Sequence, residues 1–454
     1  MEKLIFYHIY PLGFCDAPEY NDYNIEPVER LNKIKIWLNH IKSLGVGAIY
    51  FGPLFESYSH GYDTTDYFNI DRRLGNNESF IELVNLLHEN EIKIVVDGVF
   101  NHVGRDFFAF KDLLINKQKS KYCNWFKWVN FNQSNSYNDP FSYEGWEGHI
   151  NLVKLNTDNE EVKNYIYNVI KFWRETFKID GIRLDAANSM DINFLNSLAN
   201  FCKSLKSGDD ELFLIGEVIH GDYNRWANKD CLDSVTNYEC YKGLYSSHNE
   251  KNYFEIAYSL NRQFGDYAIY KNIPLYNFVD NHDVNRIAST LKNKKDLFNI
   301  YTILYTMPGV PSIYYGSEFG LEGVKENNSD KNLRPSLELD ELLTKDEGKE
   351  LLDYIKKLGK IIRESKALKY GYYKEILVKN KQFAFTRVYQ DEVIVVALSI
   401  EESPEVMEIN IPLSISTKEN KKLKSLVTGQ EYIIENNKIN VGEVTRIFEI
   451  FVLV

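Results

Sequence analysis

At 454 residues the chain has room for two to four domains, or for one large barrel with accessories. Its 44% apolar content and five scattered cysteines exclude a disordered, collagen-like or disulfide-stapled protein. A net charge of −12 gives no basic footprint for nucleic acid, and no apolar run approaches the roughly 20 residues of a membrane span.

The first apolar stretch, Leu4–Tyr10, is stopped by Pro11. It is too short for a signal-peptide core and lacks a small-residue cleavage site, so it reads as a strand. With no CxxC pair among Cys15, Cys123, Cys202, Cys231 and Cys240, the thiols read as free and the compartment as cytoplasmic. Pro27–Leu44 carries Val28, Leu31, Ile34, Trp37, Leu38, Ile41 and Leu44 at helical spacing, ended by Gly45. Ala48–Pro53 reads as a second strand. Ser79 reads as the N-cap of a helix carrying Phe80, Leu83, Val84 and Leu87. In Lys93–Phe100 the run Ile94-Val95-Val96 is continuous, as in a parallel strand buried on both faces.

From Val103 to Lys154 the pattern pauses in a stretch rich in Asn, Phe, Trp and Tyr, which suggests an inserted subdomain. Alternation then resumes. Helices are expected near 160–177 and 191–206, and strands at Gly181–Asp185, Leu212–Val218, Ser234–Glu239, Leu275–Asn281 and Val310–Gly316. Eight strands, mostly separated by helices, predict an α/β fold, a (β/α)₈ TIM barrel. A doubly wound sheet is disfavoured because no Gly-rich loop follows the first strand. From about Leu368 short strand-like segments replace helices, predicting a C-terminal antiparallel β-sandwich domain. The expected boundaries are 1–102 and 155–367 for the barrel, 103–154 for the insert and 368–454 for the last domain.

Barrel chemistry is built where the strands end. The third strand ends Asp97-Gly98-Val99-Phe100-Asn101-His102, the fourth Arg183-Leu184-Asp185, the fifth Gly216-Glu217-Val218-Ile219-His220, and the seventh Asp280-Asn281-His282-Asp283. One such carboxylate is commonly a helix cap; four on one rim are hard to explain by capping. Glycosidic bond cleavage needs two carboxyl groups in different protonation states. Arg183 and Asp185 share a strand face, so the guanidinium is expected to hold Asp185 ionised and nucleophilic. Glu217, without an obvious partner, is the candidate acid. Metal-assisted hydrolysis is the rival reading, disfavoured by an Arg in the cluster that would repel a cation.

In order and spacing these four segments resemble the sequence regions of the α-amylase superfamily, glycoside hydrolase family 13. Gly45-Val46-Gly47-Ala48-Ile49-Tyr50, Gly61-Tyr62-Asp63 and Gly309-Val310-Pro311-Ser312-Ile313-Tyr314-Tyr315-Gly316 agree with it. The resemblance implies Asp185 as nucleophile, Glu217 as general acid/base and Asp283 as the third carboxylate, gripping sugar hydroxyls. It implies Arg183 as the residue that orients the nucleophile, with Asp97 supporting it from behind. His102 and His282 would bind hydroxyls of the reacting ring, and Tyr62 would stack on it. Tyr143 and Trp146 could stack on sugars or form the insert's core; Trp125, Trp128 and Phe131 read more readily as core. Arg334 could bind substrate hydroxyls or form a surface salt bridge.

Leu152-Val153-Lys154-Leu155-Asn156 and Ala187-Asn188 resemble the neopullulanase, cyclomaltodextrinase and maltogenic amylase group, although Ser189 stands where that group usually carries Glu. No N-terminal β-domain precedes the first strand, so a shortened relative is expected, a monomer or weak homodimer. Lys154 replaces an acidic calcium ligand of many α-amylases; no cofactor is expected to be required, and calcium is disfavoured there. The implied activity is retaining hydrolysis of α-1,4 bonds, with α-1,6 bonds left open, in malto-oligosaccharides, cyclodextrins or pullulan. A transglycosylase or α-glucosidase-like isomerase would use the same residues. A non-catalytic interaction subunit is disfavoured by the intact carboxylates.

Overall fold

The computed structural model describes residues 3–206, 211–327, 329–412 and 422–454. Eight strands form one parallel sheet: β1 (Phe6–Ile9), β2 (Ala48–Phe51), β3 (Lys93–Gly98), β4 (Gly181–Leu184), β5 (Phe213–Gly216), β6 (Ser234–Val235), β7 (Tyr276–Asn277) and β8 (Val310–Tyr314). Their order is β6-β5-β4-β3-β2-β1-β8-β7, and a parallel bridge between Thr236 and Tyr276 closes the ring. The TIM barrel is as expected, but β6 and β7 are shorter than predicted. Beyond β6, the side chain of Asn237 accepts from Cys240 N and starts the helix Tyr238–Asn249. Beyond β7, Asn281 Oδ1 accepts from the amides of Asp283 and Val284, turning the chain out of the sheet.

Alternation along each strand divides the core. Phe6, Ala48, Tyr50, Val95, Phe213, Ile215, Tyr276 and Val310 form an inner cluster. Tyr7, Ile9, Ile49, Phe51, Ile94, Val96, Ile182 and Leu184 belong to the larger cluster shared with the helices. Two residues beyond the inner apolar positions Val95 and Ile215 stand Asp97 and Glu217, pointing the same way. The apolar plug is thus the floor on which the polar rim rests.

Helix positions differ in detail from the expectations. The first predicted helix covers only Asn32–Ser43, because Val28 N and Leu31 N are drawn to the carbonyls of Arg72 and Leu74. Gly45, just past its end, has φ 79°, and a Cβ there would lie 2.9 Å from the Gly359 carbonyl oxygen. The next helix, Asn77–Glu89, is capped by Asn76 rather than Ser79; Ser79 Oγ instead accepts from Asn76 N at 3.0 Å.

Strands His102–Gly104, Gly145–Trp146 and His149–Lys154 make the antiparallel sheet of the insert. Among the described residues between Tyr372 and Leu453, six strands form an antiparallel sheet. A short helix, Lys366–Tyr370, crosses the point where the sequence pointed to strands alone; Ser365 Oγ caps it. Asn299 Nδ2 donates to Ser399 O and Ile447 O, fastening this sheet to the barrel. Among the described residues no helix is long and apolar enough to cross a membrane.

Candidate active site

Arg183 is the centre of the rim. Its Nη1 bonds Asp97 Oδ1 and Asp185 Oδ1, both at 2.9 Å, and its Nη2 bonds Glu217 Oε1 at 2.9 Å. The strand pairing dictates this: Asp97 lies beside Arg183 in register, and Ile215, two residues before Glu217, lies on its other side. All four side chains are buried. Asp97 Oδ2 also accepts from Tyr50 Oη at 2.8 Å and Tyr62 Oη at 3.2 Å, so it braces the guanidinium from behind. Glu217 Oε2 accepts from Ala186 N at 3.0 Å. Ala186 is held at φ 47°, an uncommon conformation for a side chain with a Cβ, which turns that amide toward Glu217.

Two electrostatic expectations are corrected here. Glu217 does have a partner, the same guanidinium as Asp185. And one positive charge serves three carboxylates, so Arg183 does not by itself settle Asp185 as ionised. Burial pushes the Asp185 carboxyl well above the usual carboxylate range; Arg183 opposes this, while Glu217, Asp97 and Asp283 reinforce it.

Asp283 sits differently. Its Oδ1 bonds Arg334 Nη2 at 2.9 Å and its Oδ2 bonds His282 Nε2 at 3.0 Å. Burial alone would push its carboxyl up, but His282, Arg334 and Arg183 hold it well below the usual range. Arg334 is thus neither a free hydroxyl donor nor a surface salt bridge: its side chain is 12% exposed and it binds the third carboxylate. Tyr62 stacks on His282 at 5.5 Å and bonds its Nε2 through the hydroxyl.

His102 Nε2 lies 3.9 Å from Asp185 Oδ2. Burial, with His60 nearby, pulls its imidazole down to about 3, so the ring is neutral. Trp146 stacks on His102 at 5.3 Å. Among the described residues, the buried atoms His102 Nε2, His282 Nδ1 and Trp146 Nε1 have no hydrogen-bond partner. Buried polar atoms are normally satisfied, so orphans gathered at one rim imply a polar ligand. Tyr143 is placed elsewhere: its ring packs on Phe110 and its hydroxyl donates to Ile150 O at 2.8 Å, inside the insert's core. Trp125 is core as expected, whereas Trp128 is 77% exposed.

Sequence reasoning missed His8, Tyr10 and Tyr50. His8 packs on Tyr50 at 4.3 Å and on His282 at 5.0 Å, and Tyr10 stacks on His282 at 5.8 Å. The available signal was polar residues two apart, His8 and Tyr10, in the otherwise apolar first strand.

Comparison with known proteins gives the same answer as the geometry. The family described as "Alpha amylase, catalytic domain" matches residues 8–350. A cyclomaltodextrinase of Thermoanaerobacter pseudethanolicus is 32% identical over 89% of this chain and 71% of its own length. Neopullulanase 2 of Thermoactinomyces vulgaris is 32% identical over 83% of this chain and 63% of its own. The solved structure of a cyclomaltodextrinase superposes with a TM-score of 0.86 at 26% identity, covering 100% of this chain and 78% of that one. With its barrel, its carboxylate rim and this match over most of its length, the chain belongs to the α-amylase family of glycoside hydrolases.

Proposed function

We propose that the enzyme hydrolyses soluble α-1,4-linked malto-oligosaccharides and cyclodextrins by double displacement, with Asp185 as nucleophile and Glu217 as acid and base. The observation that carries this is the shared guanidinium: it keeps Asp185 and Glu217 close, and retaining glycosidases need their carboxyl pair roughly 5–5.5 Å apart. Asp185 attacks the anomeric carbon as Glu217 gives its proton to the departing oxygen. Glu217 then takes a proton from water, which displaces Asp185 and restores the α configuration. Asp283, ionised beside His282, Arg334 and the ring, steadies the positive charge that develops on the sugar. The unpartnered nitrogens of His102, His282 and Trp146 would meet sugar hydroxyls.

The same reading assigns no calcium to the position of Lys154. Its ammonium pairs with Glu144 at 2.6 Å, and the Asn101 amide nitrogen lies 3.2 Å from His102 Nδ1. A cation in place and an amide engaged with a ring nitrogen are a poor donor set for a hard divalent ion. Four buried thiols suit a reducing compartment such as the cytoplasm.

The test is a panel of maltotriose, maltoheptaose, β-cyclodextrin and pullulan, each with and without EDTA. The expected result is short α-configured products at unchanged rate under chelation. Release of β-anomers, or of nothing, rejects the hydrolytic mechanism; activity lost to EDTA and restored by calcium rejects the metal-free site.

Arg334→Met probes Asp283 directly. Removing one of the cations that hold this carboxyl low raises its pKa, which a carbon-13 NMR titration of the Asp283 side chain reads directly. A charge-assisted hydrogen bond contributes about 1.5–3 kcal/mol, so kcat/KM at neutral pH falls roughly 10- to 100-fold. An Asp283 carboxyl that titrates as in the wild type would show that Arg334 does not set its ionisation.

A further inference from the structure

The exposure of Trp128 has no explanation in packing. The residue is 77% exposed, and its backbone holds φ 57°, costly for a residue with a Cβ. The chain on either side is fixed: Lys127 O accepts from Glu144 N at 3.0 Å, and Asn130 and Ser142 exchange backbone hydrogen bonds at 2.9 and 3.0 Å. Trp128 therefore bulges from a pinned segment, pre-set rather than loose.

Beside it lies a groove of about 650 Å³, lined by Trp128, Val129, Asn130, Gln133, Ser142, Tyr143 and Glu144. Its side chains are mostly neutral donors and acceptors; Ser142 Oγ donates to Gln133 Oε1 at 3.1 Å. The one carboxylate, Glu144, is paired with Lys154. An open indole face rimmed by amides and a hydroxyl suits a neutral ring that is apolar on its faces and hydroxylated at its edge, which is a sugar. It offers little to a phosphate, which Glu144 would repel, or to an apolar helix.

The groove's residues are tied to the catalytic rim through the insert's sheet. Lys154 lies opposite His102 in the insert's sheet. Trp146, which stacks on His102, is two residues from Glu144, about 7 Å of extended chain. We propose that the Trp128 groove is a distal binding site for the same α-glucan chain whose scissile bond lies at Asp185, and that it makes the enzyme prefer longer chains. This rests on the proposed glucan activity.

The test compares maltoheptaose with maltotriose in Trp128→Ala and Trp128→Phe, with calorimetric binding of maltoheptaose to each protein. The expected result is a roughly 3- to 10-fold fall in kcat/KM for maltoheptaose in Trp128→Ala, none for maltotriose, and recovery in Trp128→Phe. Equal losses on both substrates, or none on either, overturn the proposal. If neither sugar is hydrolysed, maltoheptaose binding that disappears in Trp128→Ala keeps the groove and rejects the activity. Absence of binding to the wild type rejects the groove.

Discussion

Asp185→Asn is expected to abolish hydrolysis of every glucan while making the fold more stable. The loss follows from removing the group that attacks the sugar: kcat/KM falls on the order of 10⁴-fold or more, as when a covalent nucleophile is deleted elsewhere. The gain follows from the charge count. Asp97, Asp185 and Glu217 share one guanidinium in a buried site, and burial favours the neutral form of Asp185. A carboxyl whose folded pKa lies above its unfolded one binds its proton more tightly in the native state. Stability therefore declines as pH rises from the unfolded value, about 4, toward the folded one. At neutral pH that cost is in place, and an uncharged Asn of the same shape removes it. Relief of about 0.5–2 kcal/mol is the usual scale for easing a functional site. Thermal melts of wild type and variant at pH 5 and pH 7.5 check this, and the difference should be larger at the higher pH. A variant that melts below the wild type at both pH values contradicts the frustration argued here.

Much of this was legible in the sequence because barrel strands obey a simple periodicity. The run Ile94-Val95-Val96 and the spacing from Arg183 to Asp185 fixed both the parallel sheet and the face on which the carboxylates lie. All eight strands were placed, and the four polar strand ends do meet. What failed depended on partners and turns that no local pattern specifies. Ser79 lost the cap to Asn76 because a reciprocal box allows either residue to look like the cap from sequence alone. Glu217 seemed unpaired because its partner lies on the neighbouring strand. Arg334 is 51 residues beyond Asp283, and no local pattern announces their contact. Trp128, expected in the insert's core, is exposed, while Tyr143, left open between sugar stacking and that core, packs inside. Aromatic composition marks an insert rich in ring contacts, but burial is decided by turns such as the left-handed one at Trp128.

Glu217→Gln is expected to separate the acid from the nucleophile. On malto-oligosaccharides the departing oxygen is a poor leaving group and needs a proton, so loss of the acid lowers the rate by about 10²–10⁴-fold. On α-glucosyl fluoride the leaving group departs without protonation, and attack by Asp185 is largely preserved. The glycosyl-enzyme then accumulates, because no base remains to activate water. Azide, an anion that needs no base, should release it as the α-configured glucosyl azide. The geometry allows this because Gln can keep one of the existing contacts: its carbonyl oxygen can accept from Arg183 Nη2 or from Ala186 N, the two groups now bound by Glu217. The shared guanidinium loses one carboxylate but stays paired with Asp97 and Asp185, so Asp185 faces less like-charge repulsion in the variant. Its ionised, attacking form is then easier to reach. The decisive comparison is the ratio of losses on fluoride and maltoheptaose, read with and without azide. Equal losses on both substrates, with no azide product, would remove Glu217 from the role of acid and base.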